Sequence, residues 1–203
     1  MKLESLQEIG LRYATDKATY HGYLDFYEKN IDRKNIKRFL EIGVLKGQSL
    51  QTWREWFDTD CHVEGWDINN PIHIPGCHVK QIDQLNKQQM LSNTYESWDL
   101  ILDDGGHTTE MQQLTFSALF PHTKMFIIED LHAPWCGLEF IKLLDIKTID
   151  LIEKLSEWES RYSTEEEAAY IRENAELVSI YIQGSREEPM SATAIIKNKS
   201  LLK

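Results

Sequence analysis

Leu100-Ile-Leu-Asp-Asp-Gly-Gly-His107 and its echo downstream, Phe126-Ile-Ile-Glu-Asp130, decide the fold. Each is a short apolar run that reads as a buried strand and ends in two adjacent acids. Carboxylates at the tips of apolar strands are costly in a bare core and useful at a site. Working outward, further strands are expected at 38–42, 62–67 and 77–82, with the quoted pair occupying 98–102 and 125–128. Helical spacing marks 49–57, 87–93 and 109–119 between them. In the first of these helices Leu50, Trp53, Trp56 and Phe57 are core rather than ligand contacts. Strands alternating with helices predict an α/β, Rossmann-like, mostly parallel sheet covered on both faces. Two late strands, 177–182 and 192–197, flank a loop with Gly184 and Pro189, so they pair as an antiparallel hairpin.

The remaining segments read more simply. Leu3, Leu6, Ile9 and Leu11 suggest an opening helix, 13–23 a structured aromatic loop, and 24–30 a second helix. Residues 140–158 carry apolar residues at helical steps with a break, and Glu165-Glu-Glu167 is a solvated helix face. All 203 residues are expected to form one domain, with 1–35 as a helical cap.

Net charge −11 argues against a nucleic-acid or anionic-membrane partner. Three cysteines without CxxC spacing read as free thiols in a reducing compartment. With no signal-peptide pattern and no span of roughly 18 apolar residues, a cytoplasmic protein is expected. Homo-oligomerisation is left open by the sequence.

Ligands of such sheets bind at strand carboxyl ends, near the point where strand order reverses. Acids at 41, 67, 83, 103, 104, 129 and 130 all fall at or near strand ends. Glu41-Ile-Gly43-Val-Leu-Lys-Gly47-Gln-Ser49 is a strand–turn–helix junction whose glycines let backbone approach a ligand. It lacks the third glycine of a dinucleotide fingerprint. Asp67 stands where a carboxylate accepts ribose hydroxyls, which suits a nicotinamide cofactor or S-adenosylmethionine alike. Glu41 repels a pyrophosphate and suits a cationic sulfonium. The rival is a tight turn with no ligand.

Asp103/Asp104 and Glu129/Asp130 converge if their strands are neighbours about 4.8 Å apart. Such a cluster takes up a hard cation, Mg²⁺, Mn²⁺ or Ca²⁺, in preference to zinc. The bland reading of each pair is a helix cap or surface loop. His107, across Gly105-Gly106, can turn back over the site as a general base; its bland reading is a helix-start residue. His132 is a weaker candidate for substrate contact.

Phe39-Leu-Glu-Ile-Gly-Val-Leu-Lys-Gly-Gln-Ser-Leu50, Gly65-Trp-Asp67, Ile82-Asp-Gln84, Ile101–His107 and Ile128–His132 resemble the successive motifs of class I S-adenosylmethionine-dependent methyltransferases. Within that class they look like the metal-dependent sugar O-methyltransferases of macrolide and polysaccharide clusters. Thr15-Asp-Lys17 and His21-Gly-Tyr23 are similar to a segment preceding the first strand in that group. The resemblance implies a seven-stranded sheet with the last strand inserted antiparallel. It implies cofactor contacts from Glu41, Gly43, Gly47, Ser49, Asp67, Asp83 and Gln84, with Asp103 facing either the cofactor or the metal. It implies Mg²⁺ (or Mn²⁺) ligands in Asp104, Glu129 and Asp130, and a general base in His107. The expected substrate is a small hydroxylated molecule, a sugar or glycoside. A catechol or phenolic acceptor and a non-catalytic cofactor-binding protein are the alternatives. Departures from the group's pattern are Gly106 in place of Ser, and Ala14 and Ala18 in place of glycines.

Overall fold

A single sheet of seven strands runs in the order β3-β2-β1-β4-β5-β7-β6 through the computed structural model, which describes residues 4–69, 71–94, 96–132, 147–185 and 189–202. The strands are β1 (Arg38–Ile42), β2 (His62–Asp67), β3 (His78–Gln81), β4 (Trp98–Asp103), β5 (Thr123–Ile128), β6 (Ala175–Gly184) and β7 (Pro189–Asn198). The first five are mutually parallel; β7 inserts antiparallel between β5 and β6. From β1 the chain winds outward to β3, then crosses back to place β4 on β1's other side. The loops leaving β1 and β4 therefore diverge and open a crevice at the carboxyl edge.

Alternation along the strands splits the interior into two cores. Leu40, Ile42, Ile101, Phe126, Ile128 and Ile196 face one side, while Phe39, Leu100, Leu102, Ile127 and Ile195 face the other. Successive residues of a strand point to opposite faces, so a fully buried strand must be apolar at every position. The first core is closed by α6 (Thr109–Leu119) and α8 (Glu165–Asn174), with α5 (Lys87–Ser92) and α7 (Thr148–Ile152) at its margins. The second is closed by α1 (Leu6–Tyr13), α3 (Leu24–Asn30) and α4 (Gln48–Trp56). There Trp53 stacks on Phe57 at 5.6 Å and meets Phe39 at 5.2 Å, the core role expected of that helix.

The segment read as a loop between α1 and α3 contains a helix, α2 (Asp16–Thr19). At four residues it is too short for periodicity to reveal, and it is set by its surroundings. Leu11, counted among the opening helix's apolar residues, is 53% exposed; Leu6 and Ile9 are the ones buried. Glu167 does more than solvate a helix face: it completes a capping box with Thr164 and pairs with Lys87. Of the helical stretch expected at 140–158, residues 148–152 are α7; Phe140, Leu143 and Leu144 lie outside the described residues. Among the described residues no helix is long and apolar enough to cross a membrane.

Candidate active site

The β1 loop forms one wall of a cleft of about 490 Å³ at the switch point. Gly43, at φ +87°, sits so close to the β4 loop that a Cβ would run into the carbonyl oxygen of Asp104. Its N–H donates to Trp66 O at 2.8 Å, and Asp104 N–H donates to Ile42 O at 2.9 Å, so the loops are stitched together. Asp67, at the tip of β2, receives Val44 and Leu45 N–H on one oxygen at 2.9 and 2.8 Å. Its other oxygen receives both the backbone and side-chain N–H of Asn69. Burial would raise the Asp67 pKa, but these backbone donors outweigh it and hold the group below the usual carboxylate range. Asp83 and Ser49 also line the cleft.

Glu41 and Gly47, also expected to touch a cofactor, stand behind this wall. Glu41 is fully buried, accepts a hydrogen bond from Ser49 Oγ, and leaves Oε2 without a hydrogen-bond partner. Burial pushes its carboxyl up to about 8, against the pull of Lys17. Gly47 packs against Ile74 and Ile72 and starts α4 at φ +82°. Gln84 lines the cleft but spends its amide on the β4 loop, donating to Asp103 Oδ1 and accepting from Gly106 N–H.

The β4 loop forms the opposite wall and separates the Asp103–Asp104 doublet. Asp104 lies at the cleft, its side chain 22% exposed. Asp103 points away from it, 2% exposed, bonded to Gln84 and Gly105 N–H, with Oδ2 unpartnered. Burial raises the Asp103 carboxyl to about 8. His107 follows at φ +56°, and its Nε2 stands 3.4 Å from Asp130 Oδ2. Asp130 is itself at φ +52°. Together with Ala14 and Leu45, these are the non-glycine residues with positive φ among the described residues, and all four line the cleft. Left-handed backbone at non-glycine residues is strain concentrated where function sits.

Asp104, His107 and Asp130 each offer a donor atom within 4.8 Å of the others, a spacing that could hold a cation. Glu129 is placed behind them. It is 1% exposed, with Oε2 accepting from Lys17 Nζ at 2.7 Å and Oε1 from the Tyr27 hydroxyl at 2.7 Å. Burial pushes its pKa well above the usual range, with Lys17 pulling it down and Asp104 and Asp130 pushing it further up.

Lys17, in α2, is the residue that pattern reading missed. It is 1% exposed and pairs with both Asp104 and Glu129. Burial alone would strip its proton, but Asp104, Glu129 and Glu41 outweigh it and hold the ammonium well above the ordinary lysine range. Tyr23 donates to Asp130 Oδ1 at 3.0 Å, and Gln112 holds the backbone carbonyl of Glu129 at 3.1 Å. The one signal available was the Thr15–Tyr23 segment itself, whose motif places a lysine and a tyrosine ahead of the first strand.

A second group, His21, Asp130 and His132, also has donor atoms within 4.8 Å of one another. Its imidazoles are engaged elsewhere: His132 Nδ1 accepts Ala192 N–H at 3.2 Å, and His21 Nδ1 lies 2.8 Å from Ser191 Oγ. Burial lowers the His132 pKa, which keeps that ring neutral. Each Nδ1 stands 3.8 Å from Asp130 Oδ1.

No family model matches the chain. The mycinamicin VI 2''-O-methyltransferase of Micromonospora griseorubida is 31% identical over 150 residues, covering 65% of this chain and 37% of that protein. The demethylmacrocin O-methyltransferase of Streptomyces fradiae is 31% identical over 150 residues, with 65% and 38% covered. A solved MycE methyltransferase of the mycinamycin pathway, in complex with Mg, SAH and mycinamycin VI, superposes at a TM-score of 0.76. That match covers 97% of this chain and 54% of the other, at 23% identity. The fold is that of the class I methyltransferases. Homologues of this methyltransferase-fold chain are macrolide sugar O-methyltransferases, and the chain spans well under half the length of those curated relatives. The expectation of a seven-stranded sheet with an inserted antiparallel strand is met in full.

Proposed function

We propose that this chain is an S-adenosylmethionine-dependent, Mg²⁺-dependent (or Mn²⁺-dependent) O-methyltransferase that acts on a sugar hydroxyl of a glycosylated small molecule. The observation that supports it most is the meeting of two residue sets on facing walls of one cleft: Gly43, Asp67 and Asp83 against Asp104, His107 and Asp130. The named activities of the sugar O-methyltransferases to which the chain is similar support the acceptor class.

The residues fit the donor. Gly43 lines the cleft and lets the β1 loop pack on the Asp104 carbonyl, and buried Glu41 Oε2 has no hydrogen-bond partner. Gly47 and Ser49 open α4 behind that turn, Ser49 holding Glu41. In this reading Glu41 and Gly43 hold the aminoacyl end. Asp67 takes the ribose, exchanging the Asn69 side-chain amide for a hydroxyl, and Asp83 and Gln84 flank the adenine. Asp103 acts through Gln84 and Gly105, shaping the loop from below. When bound, the donor supplies an electrophilic methyl group.

The opposite wall fits a divalent ion, because the Asp104 and Asp130 carboxylates converge there with His107 beside them as a base. Asp104 and Asp130 would hold it, with Glu129 as the third acid of the set. The ion would supply Lewis acidity toward an acceptor hydroxyl. His107 accepts the hydroxyl proton on its imidazole, and Asp130, 3.4 Å away, steadies the imidazolium that results. With donor and acceptor both bound, the cleft walls would position one against the other, and such positioning supplies much of the rate.

Residues 1–203 are read as one methyltransferase domain in which 1–35 cap the cofactor and acceptor site. Ala14, Thr15 and Asp16 already line the cleft. The acidic chain is read as a cytoplasmic protein without a nucleic-acid or membrane partner. Transfer of labelled methyl from S-adenosylmethionine to a panel of glycosides tests the reading. EDTA and His107→Ala should each abolish transfer, and full turnover by His107→Ala overturns the base assignment.

A further inference from the structure

Lys17 raises a problem that the metal reading does not solve. It pairs with Asp104 and Glu129 at once, on the acid set proposed to hold the ion. With Tyr27 on its other oxygen, Glu129 has neither oxygen free while Lys17 stays in place. A fully buried ammonium is held there by charge, with Asp104 and Glu129 in contact and Glu41 acting on it from β1. Lys17 is thus a monovalent cation seated against acids that also suit a divalent one.

We propose that Lys17 is the resident cation of this site and competes with the divalent ion for Asp104 and Glu129. Loading the ion draws Glu129 from Lys17, so the lysine sets how tightly the metal is held and keeps the acids compact without it. Lys17 rides on α2, whose flanking residues Ala14 and Thr15 line the cleft beside Asp16. Its contact with the acids therefore ties metal occupancy to the wall that faces the methyl donor. This inference rests on the metal-dependent reading above.

Calorimetric titration with Mn²⁺ of wild type, Lys17→Met and Lys17→Arg tests it, with S-adenosylhomocysteine binding as the check that each variant is folded. Removing the competing charge should tighten Mn²⁺ at least tenfold in Lys17→Met. Lys17→Arg, whose planar fork can grip both carboxylates and cannot lose its charge, should weaken it at least threefold. A lysine with a merely structural role loosens the acids when replaced, so Mn²⁺ binding that is unchanged or weaker in a folded Lys17→Met overturns the proposal. If Lys17→Met does not bind S-adenosylhomocysteine, Lys17→Arg decides alone: equal or tighter Mn²⁺ binding than wild type overturns the proposal. If wild type binds S-adenosylhomocysteine but no Mn²⁺ while Lys17→Met binds Mn²⁺, the competition is upheld and metal dependence of the native enzyme fails. Failure of every form to bind Mn²⁺ overturns both.

Discussion

Replacing Lys17 by methionine keeps most of the stem's volume and removes the charge, leaving Glu129 buried with the Tyr27 hydroxyl on Oε1 and no cation on Oε2. Deleting one partner of a buried ion pair costs about 3–5 kcal/mol, because the other charge is left uncompensated. With a urea slope of about 2 kcal/mol per molar, the unfolding midpoint falls by about 1.5–2.5 M. The pH dependence carries the sharper signature. The raised Lys17 pKa means its stabilisation is complete below the ordinary lysine value and lost only as pH rises through the folded one. Lys17 is therefore fully in play from pH 5 to 8. In the variant, Glu129 loses the group that pulls its pKa down, so it takes up a proton as pH falls and escapes part of the penalty. The loss should be larger at pH 8 than at pH 5.5, and Lys17→Met/Glu129→Gln should be more stable at pH 8 than Lys17→Met. Urea melts at both pH values measure this. A loss below about 1 kcal/mol, or one equal at the two pH values, refutes the reasoning.

Glu41 and Asp103, both raised to about 8, favour the protonated form on folding, so their contribution is present at low pH and lost as pH rises toward 8. Ligand-free protein should show a melting temperature lower at pH 8 than at pH 5.5, and Asp103→Asn should flatten the trend. Ala14, a left-handed C-cap at φ +55°, occupies a position glycine prefers; Ala14→Gly should stabilise by about 0.5–1 kcal/mol in urea melts. Gly43→Ala meets both a positive φ and the Asp104 carbonyl, so it should cost at least about 2 kcal/mol and weaken S-adenosylhomocysteine binding in calorimetry.

The sheet was legible because fully buried parallel strands must be apolar along their length, and the acid tips marked where each ended. α6, β1 and β2 were legible to the residue. α2 was not, since four residues carry no period and Lys17 reads as a surface residue until three acids from distant strands close around it. The doublet Asp103–Asp104 could not be split from sequence, because adjacent residues on a strand tip face opposite ways and register decides which. Glu129 looked equivalent to Asp130 for the same reason; burial separates them, one 1% exposed against Tyr27 and Lys17 and the other at the cleft.

Calorimetric titration of the wild-type protein with S-adenosylhomocysteine, repeated on Asp67→Ala, tests the central claim most directly. Saturable one-to-one binding is expected, weakened at least thirtyfold, or about 2 kcal/mol, when the Asp67 carboxylate is removed. No binding by the folded wild-type protein, or binding indifferent to Asp67, would contradict it.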